Sequence, residues 1–442
     1  MNSELPLPAN WRWGSLAEIA EINPLISLIG LPDTLPVTFV AMSNVGENGR
    51  ILQQQTRLLA EVKSGFTRFA EDDILFAKIT PCMENGKGAH AQELMNGIGF
   101  GSTEFHVLRA GLMADARFVY HVTQSLSLRQ KAAMQMTGSA GQQRVPSDFF
   151  ERLQLPLPPL SEQRQIARIL STVDDLIERT EALIAKYRAI KQGLLHDLLT
   201  RGVDGSGWLR PPREEAPALY KESPLGWVPR EWEVAPLRVY RDSDKPHIKT
   251  GPFGSSLKTE HWVTEGVPII TIGSLGEGKF IDSELLFITE AKAATLSQYT
   301  VANGDLVFSR VADVGRSALV GEREAGWIMS SNLMRISLDT TRIVPKHLYL
   351  NLVFNPWTRQ QIRQSVNAGG REVANTAILE RLLFAWPSLG EQSAVATIFG
   401  SHEATVRAEQ KRLDKLQHIK AGLMQDLLTG RVRVKVEETS HE

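Results

Sequence analysis

Part of this chain is written twice, so any fold it takes must accommodate two copies of one unit. "PLPPLSEQRQIARIL" (156–170) returns as "AWPSLGEQSAVATIF" (385–399), and "GLLHDLLT" (193–200) returns as "GLMQDLLT" (422–429). With Glu162-Gln163 set on Glu391-Gln392, the offset is 229 residues (391 − 162). It carries without a gap through Pro158/Pro387, Lys191/Lys420, Gly193/Gly422, Asp197/Asp426, Leu199/Leu428 and Val203/Val432. A match of that length marks one structural unit used twice. Weaker echoes flank it: "LPANWRWGSL" (7–16) with "VPREWEVAPL" (228–237), "DDILFAKI" (72–79) with "GDLVFSRV" (304–311), and "TGSAGQQRVPSDFFERL" (137–153) with "VNAGGREVANTAILERL" (366–382).

The duplicated segments carry helical periodicity. Ile166, Ile169, Val173, Leu176, Thr180, Leu183, Tyr187, Ile190 and Leu194 step by three and four, and Leu170, Ile177, Ile184 and Leu198 widen the stripe. That is a broad apolar face on a helix of roughly 38 residues, about 57 Å long. Pro158 and Pro159 precede it, Ser161 is the predicted cap, Glu162 suits its positive end, and Gly202 offers a left-handed stop. The second copy keeps Val395, Ile398, Phe399, Val406, Leu413, Leu416, Ile419, Leu423 and Leu427, with a more polar middle at His402, Thr405, Glu409 and Arg412. A helix this long cannot bury its stripe on one small globule, and its own repeat is the obvious partner.

The remaining segments read as mixed. "VTFVAM", "DILFAKI", "TEFHVLR", "VPIITIG", "DLVFSRV" and "NLMRISL" are strand-like runs between turn signals. "ADARFVYHVTQSLSLRQKAAMQM" and "PKHLYLNLVFNPWTRQQIRQSV" read as helices late in each half. The expected class is α+β: two globular domains, each followed by a long helix, the helices pairing antiparallel with approximate two-fold symmetry. The predicted boundaries are 1–154 and 155–203 for the first globule and helix, 204–222 for a surface linker, 223–383 and 384–432 for the second pair, and 433–442 for a polar tail.

Composition narrows the function classes. One cysteine, Cys82, excludes a disulfide framework and fits a reducing cytoplasm. The opening "MNSELPLPANWRW" lacks the basic and apolar regions of a signal peptide, and no apolar run approaches a membrane span. The net charge of −1 gives no global basic signature of nucleic-acid binding, which leaves local patches or shared contacts with a partner.

Catalytic motifs are absent. There is no GxxxxGK[ST] phosphate loop and no GxGxxG turn after a strand. "FNPW" (354–357) is one proline short of the motif that holds a flipped adenine in amino-methyltransferases. Asp282, Glu290 and Lys292 match a nuclease-like set of a kind common by chance, Cys82 has no histidine beside it, and the histidines lack metal-ligand spacing. The chain is expected to be no enzyme and to hold no metal or cofactor.

Binding signals are better. "KTGPFGSSLK" (249–258) sets glycines and backbone donors between Lys249 and Lys258, with Ser255 and Ser256 inside, a composition suited to phosphate oxygens. "GSAGQQR" (138–144) and "NAGGRE" (367–372) place Gln142, Gln143, Arg144 and Arg371 after flexible glycines at equivalent points, and Gln and Arg make bidentate contacts to base edges. Lys78, Lys87 and Arg310 complete the candidate DNA-binding set.

The doubled phrases "PLPPLSEQRQIARIL" with "AWPSLGEQSAVATIF" and "IKQGLLHDLLTRGV" (190–203) with "IKAGLMQDLLTGRV" (419–432), the openings "LPANW" and "VPREW" and the loop "TGPFGSSLK" resemble the DNA-specificity subunit of type I restriction–modification enzymes. The second helix departs from that family's pattern at Gly390 and in its polar middle. The resemblance implies two target-recognition domains that read a split site in double-stranded DNA, held apart by the paired helices. It implies two methyltransferase subunits bringing S-adenosylmethionine and a motor-nuclease subunit using ATP and magnesium, with no cofactor in this chain. Partner-binding candidates are the repeated helix residues Glu162, Gln163, Gly193, Asp197, Glu391, Gln392, Gly422 and Asp426. Gly193 and Gly422 each cost a helix about 1 kcal/mol relative to alanine, which suggests close backbone approach by a partner or the neighbouring domain. A coiled-coil adaptor with two protein-binding domains and no DNA role is the alternative.

Overall fold

The computed structural model describes residues 7–139, 141–241, 247–276, 278–367 and 373–436. The chain forms two compact units, residues 1–182 with 410–442 and residues 183–409, so each long helix contributes one part to each unit. The first long helix runs Leu160–Thr200 and the second Leu389–Leu427.

In the first unit, one antiparallel sheet orders Ala20–Ile22, Phe105–Ala110, Ile74–Ala77 and Gly88–His90. A second orders Gln55–Leu58, Pro36–Val40, Ile98–Gly101 and Thr67–Ala70, with one parallel pair in its centre. Helices Ala116–Gln124 and Leu126–Ala133 follow, broken at Ser125, whose hydroxyl accepts from the Leu128 amide and caps the second of them. Strand Arg12–Ser15 then pairs antiparallel with Gln154–Leu157 and leads the chain into the long helix. The core joins Leu16, Phe76, Phe118, Phe149 and Phe150 to Ile166, Ala167 and Leu170 of the first helix and to Leu427 and Leu428 at the end of the second.

The second unit repeats this plan. Ile248–Thr250, Leu333–Ile336, Leu306–Ser309 and Ser317–Leu319 form one sheet in the equivalent order. Leu286–Ile288, Val267–Ile270 and Ile328–Met329 form the other, again with a parallel pair. Helices Pro345–Phe354 and Pro356–Asn367 break at Asn355, and Glu233–Pro236 pairs with Leu383–Trp386 before the second long helix. Leu195, Leu198 and Leu199 of the first helix and Val395 and Phe399 of the second enter its core. The internal repeat is thus a repeat of fold, and the strand-like runs and late helices form as their periodicity predicts.

Within each unit the two long helices pack antiparallel. In the first, as residue numbers rise from Glu162 to Asp174, their charged partners fall from Arg433 to Lys420, with Lys420 Nζ 2.6 Å from Asp174. In the second, Lys191 meets Glu403 at 3.1 Å, while Glu391 accepts from the Val203 amide at 3.0 Å. The polar middle of the second helix forms a charged seam there, because Lys346 also reaches Glu403 at 3.5 Å and Tyr187 meets His402 edge to face.

Three local expectations change. Ser161 lies inside the first helix, where the Pro159 carbonyl already accepts from the Gln163 amide, so it is not the cap. The second helix starts one residue before Gly390, and Ser388 caps it by accepting from the Glu391 amide. The 204–222 segment is not simply a surface linker: it buries Arg210 and Tyr220, and Tyr220–Ser223 pairs with Gly226–Pro229 as a hairpin. Gly202 keeps its predicted left-handed backbone, with φ of +66°.

Candidate nucleic-acid interface

In each unit, a central strand ends on a basic residue held by the same backbone bonds. In the first, Ile74–Ala77 delivers Lys78, whose amide donates to the Glu104 carbonyl while its own carbonyl accepts from Val145. In the second, Leu306–Ser309 delivers Arg310, whose amide donates to Asn332 while its carbonyl accepts from Ala374. A buried carboxylate braces each strand at its other end. Asp73 accepts from Arg109 at 2.8 and 2.7 Å, and Asp305 accepts from the Ser337 hydroxyl at 2.8 Å and the Ala302 amide at 2.7 Å.

The first unit gathers most of its candidates. The Thr80 amide donates to the Gln143 carbonyl, and Arg144 bridges to both Ile79 and Thr137, so Lys78, Gln143 and Arg144 lie together with Gln142 exposed beside them. Arg144 grips Glu104 through two hydrogen bonds of 2.9 and 2.8 Å. Those bonds, chiefly, hold the Glu104 carboxyl below its ordinary range against a smaller burial effect. The first base-reading candidate is therefore a neutralised pair whose two oxygens and five N–H groups are partly committed to each other. Lys87 donates to the Met42 carbonyl at 3.2 Å.

The second unit leaves its cations freer. Lys249 and Arg310 line one open cleft with Phe253, Tyr299 and Asn332, and its described lining contains no carboxylate. Lys249 Nζ donates to Gln298 at 3.0 Å and stands 5.4 Å from the Tyr299 ring centre. Arg310 Nε is buried without a hydrogen-bond partner among the described residues. Gly251 is required for packing, since an added Cβ would sit 1.9 Å from the Ser330 carbonyl oxygen. Ser255 and Lys258 are exposed and Ser256 half-buried, with Lys258 3.9 Å from Glu260. Arg371 lies outside the described residues. Glu104, Asn332, Tyr299 and Phe253 are added by the structure; the matched strand ends of the two halves were the sequence signal that could have located Glu104 and Asn332.

The partner candidates at the helix starts have internal roles. Glu162 accepts from the Trp11 indole at 3.1 Å and from Arg433. Glu391 accepts from the Trp232 indole at 3.1 Å and from Arg210. Gln163 accepts from the Asp115 amide at 3.0 Å and donates to Pro158, while Gln392 accepts from the Val344 amide at 2.9 Å and donates to Pro387. The repeated Glu-Gln pair thus ties each globule to the helix that leaves it. Asp197 pairs with Arg201 at 3.0 Å and Asp426 with Arg431 at 3.6 Å. A Cβ added at Gly193 or Gly422 meets nothing within 4 Å among the described residues, so none of these approaches either glycine closely.

Two of the motifs set aside above have partners within the fold. Asn355 of "FNPW" is buried, donates to Leu199 and Asn351, and caps the next helix through the Trp357 amide. Asp282 is held by Arg323 at 3.0 Å. Among the described residues there is no metal-ligating cluster and no helix long and apolar enough to cross a membrane.

Comparison with known proteins places this architecture. The family model described as the type I restriction modification DNA specificity domain matches residues 8–186 and 247–418. The chain belongs to that family. It is 36% identical over 198 residues to the type I restriction enzyme EcoAI specificity subunit of Escherichia coli, covering 43% of this chain and 33% of that one. It is 25% identical over 324 residues to the MjaVIII specificity subunit of Methanocaldococcus jannaschii, covering 70% of this chain and 69% of that one. The match thus spans about a third of the length of the Escherichia coli relative. The solved type I restriction–modification S subunit from M. genitalium superimposes with a TM-score of 0.55 at 16% identity, covering 97% of this chain and 99% of that one. A chain from a structure of a type I system's complex assembly and conformational transition gives 0.54 at 18%, covering 97% and 100%. At these identities the structures speak for the fold alone.

Proposed function

We propose that this chain is the sequence-reading, non-catalytic subunit of a type I restriction–modification complex. Each globular half reads one part of a bipartite DNA site, and the paired helices set the unread spacer between them. The observation that carries this reading is the doubled strand end, Lys78 in one half and Arg310 in the other, each presented by the same backbone frame. The side chains around those frames differ, with Glu104 and Arg144 in one half against Asn332 and Lys249 in the other, so the two half-sites should differ in sequence. Two methyltransferase subunits would supply S-adenosylmethionine and adenine methylation, and a motor-nuclease subunit ATP- and magnesium-dependent cleavage, in the cytoplasm. With a net charge of −1, this chain would share the phosphate contacts with those partners.

Deleting the gene and mapping methylated adenines across the genome tests the reading. One bipartite motif should lose its methylation; an unchanged methylome would count against it. At residue level, Arg310→Ala should cost roughly 1–3 kcal/mol of target binding and relax discrimination at one base position. Competition binding against every single-base variant of the target measures this. A uniform loss across variants would make Arg310 a phosphate contact.

A further inference from the structure

Two large apolar side chains stand in water at matching places in the two halves. Leu25 is 96% exposed and Phe253 85% exposed. Each sits on the loop that follows the first edge strand of its antiparallel sheet, Ala20–Ile22 in one half and Ile248–Thr250 in the other. The second strand pairs one pleat further before turning. Asn23 closes the first loop onto the Val107 carbonyl, and Gly251 closes the second onto Leu333. The tips therefore agree in topology while their register differs. Each follows a proline, Pro24 or Pro252, which fixes φ and lowers the entropy lost when the tip is immobilised.

The surroundings indicate what covers them. Phe253 lines the cleft with Lys249, Tyr299, Arg310 and Asn332, whose described lining has two cations and no carboxylate. Beside Leu25, Arg68 donates to the Ile26 carbonyl at 3.2 Å. At Phe253 two cations and one amide side chain flank the apolar tip, and at Leu25 one arginine, Arg68, does; that pairing suits a ligand that is a polyanion outside and a stack of flat apolar faces inside. That is the chemistry of double-stranded DNA, in which side chains such as Phe and Leu press against or between bases while basic neighbours hold the phosphates.

We propose that Phe253, and Leu25 in the first half, are the apolar base-contacting tips of the two recognition surfaces. The proposal rests on the specificity-subunit reading and adds to it a contact made through base faces. The cations beside each tip hold charge; the tip itself senses stacking and methyl groups.

The test uses the full chain assembled with its methyltransferase partners and the bipartite duplex found by methylation mapping, titrated over a series of salt concentrations. Phe253→Ala should weaken target binding roughly tenfold or more. It should leave the slope of log K against log salt unchanged, because an apolar contact releases no counterions. Lys249→Ala, as the contrast, should lower that slope by about 1. Single-base substitutions should show Phe253→Ala losing discrimination in one half-site and Leu25→Ala in the other, while Phe253→Trp retains tight binding. Wild-type affinity and discrimination in Phe253→Ala would overturn the proposal and leave the specificity reading standing. Loss of methyltransferase assembly in Phe253→Ala would move the tip to a protein interface and overturn it equally. A wild-type complex with no preference for the target would defeat the underlying reading first.

Discussion

Lowering the pH from 7.5 to 5 is expected to cost the fold about 4 kcal/mol through two histidines. His121 in the first unit and His347 in the second are almost wholly buried, and each is pushed down to about 3. For His347 the cause is burial alone; for His121 burial leads and the Lys420 cation adds to it. Among the described residues neither Nδ1 makes a hydrogen bond; the Asp174 carboxylate, 3.9 Å from that of His121, is itself held by Lys420 at 2.6 Å. The unfolded chain takes up those protons as pH falls through about 6.5, and the folded chain does not until about 3. Stability is therefore fully present above the unfolded value and is lost progressively between the two, about 2 kcal/mol for each histidine by pH 5. His90, His106 and His247, lowered chiefly by burial, push in the same direction. Urea unfolding at the two pH values measures the loss as a fall in midpoint. A double variant, His121→Gln with His347→Gln, should flatten the dependence. An equal fall in wild type and double variant would place the titrating groups elsewhere.

Much of this fold was legible because its signals are local and repeated. Apolar spacing along Ile166, Leu170, Val173 and Ile177 describes one helix face, and the offset copy describes the second without knowledge of either globule. The strand-like runs ending in Lys78 and Arg310 could be read for the same reason. What stayed hidden lies in contacts between residues far apart in the chain. Glu162 and Glu391 looked like outward-facing residues at the positive ends of helices, yet Trp11 and Trp232 consume their oxygens across more than a hundred residues of sequence. Arg210 sat in a glycine- and proline-rich stretch that reads as solvated, and only the fold brings Glu391 to it. The loop at 249–258 was read from composition as a phosphate cradle. The structure adds that Gly251 packs against the Ser330 carbonyl behind it and that Phe253 is exposed alongside Ser255 and Lys258.

Glu391→Ala should destabilise the second unit by about 3–5 kcal/mol, the expected cost of breaking a buried ion pair from one side. The Glu391 side chain is 9% exposed and that of Arg210 7%. The carboxylate accepts two hydrogen bonds from Arg210, one from the Trp232 indole at 3.1 Å and one from the Val203 amide at 3.0 Å. Burial opposes the Arg210 charge, and the bonds to Glu391 and Glu231 outweigh it, so its pKa stands above the ordinary value. Without Glu391 that guanidinium keeps Glu231, which is 80% exposed, and the Arg201 carbonyl, and the indole N–H is left dry. The repeat provides an internal control. Glu162 makes the same bond to Trp11, but its cation Arg433 is 45% exposed and regains water when the carboxylate is removed. Glu162→Ala should therefore cost only about 1–3 kcal/mol. Denaturant unfolding of both variants in the full chain gives the comparison, and a larger loss at Glu162 would show that cation burial does not set the cost. Replacing both Glu391 and Arg210 with apolar residues of similar size should recover much of the loss, because the penalty comes from the stranded charge more than from the missing bond.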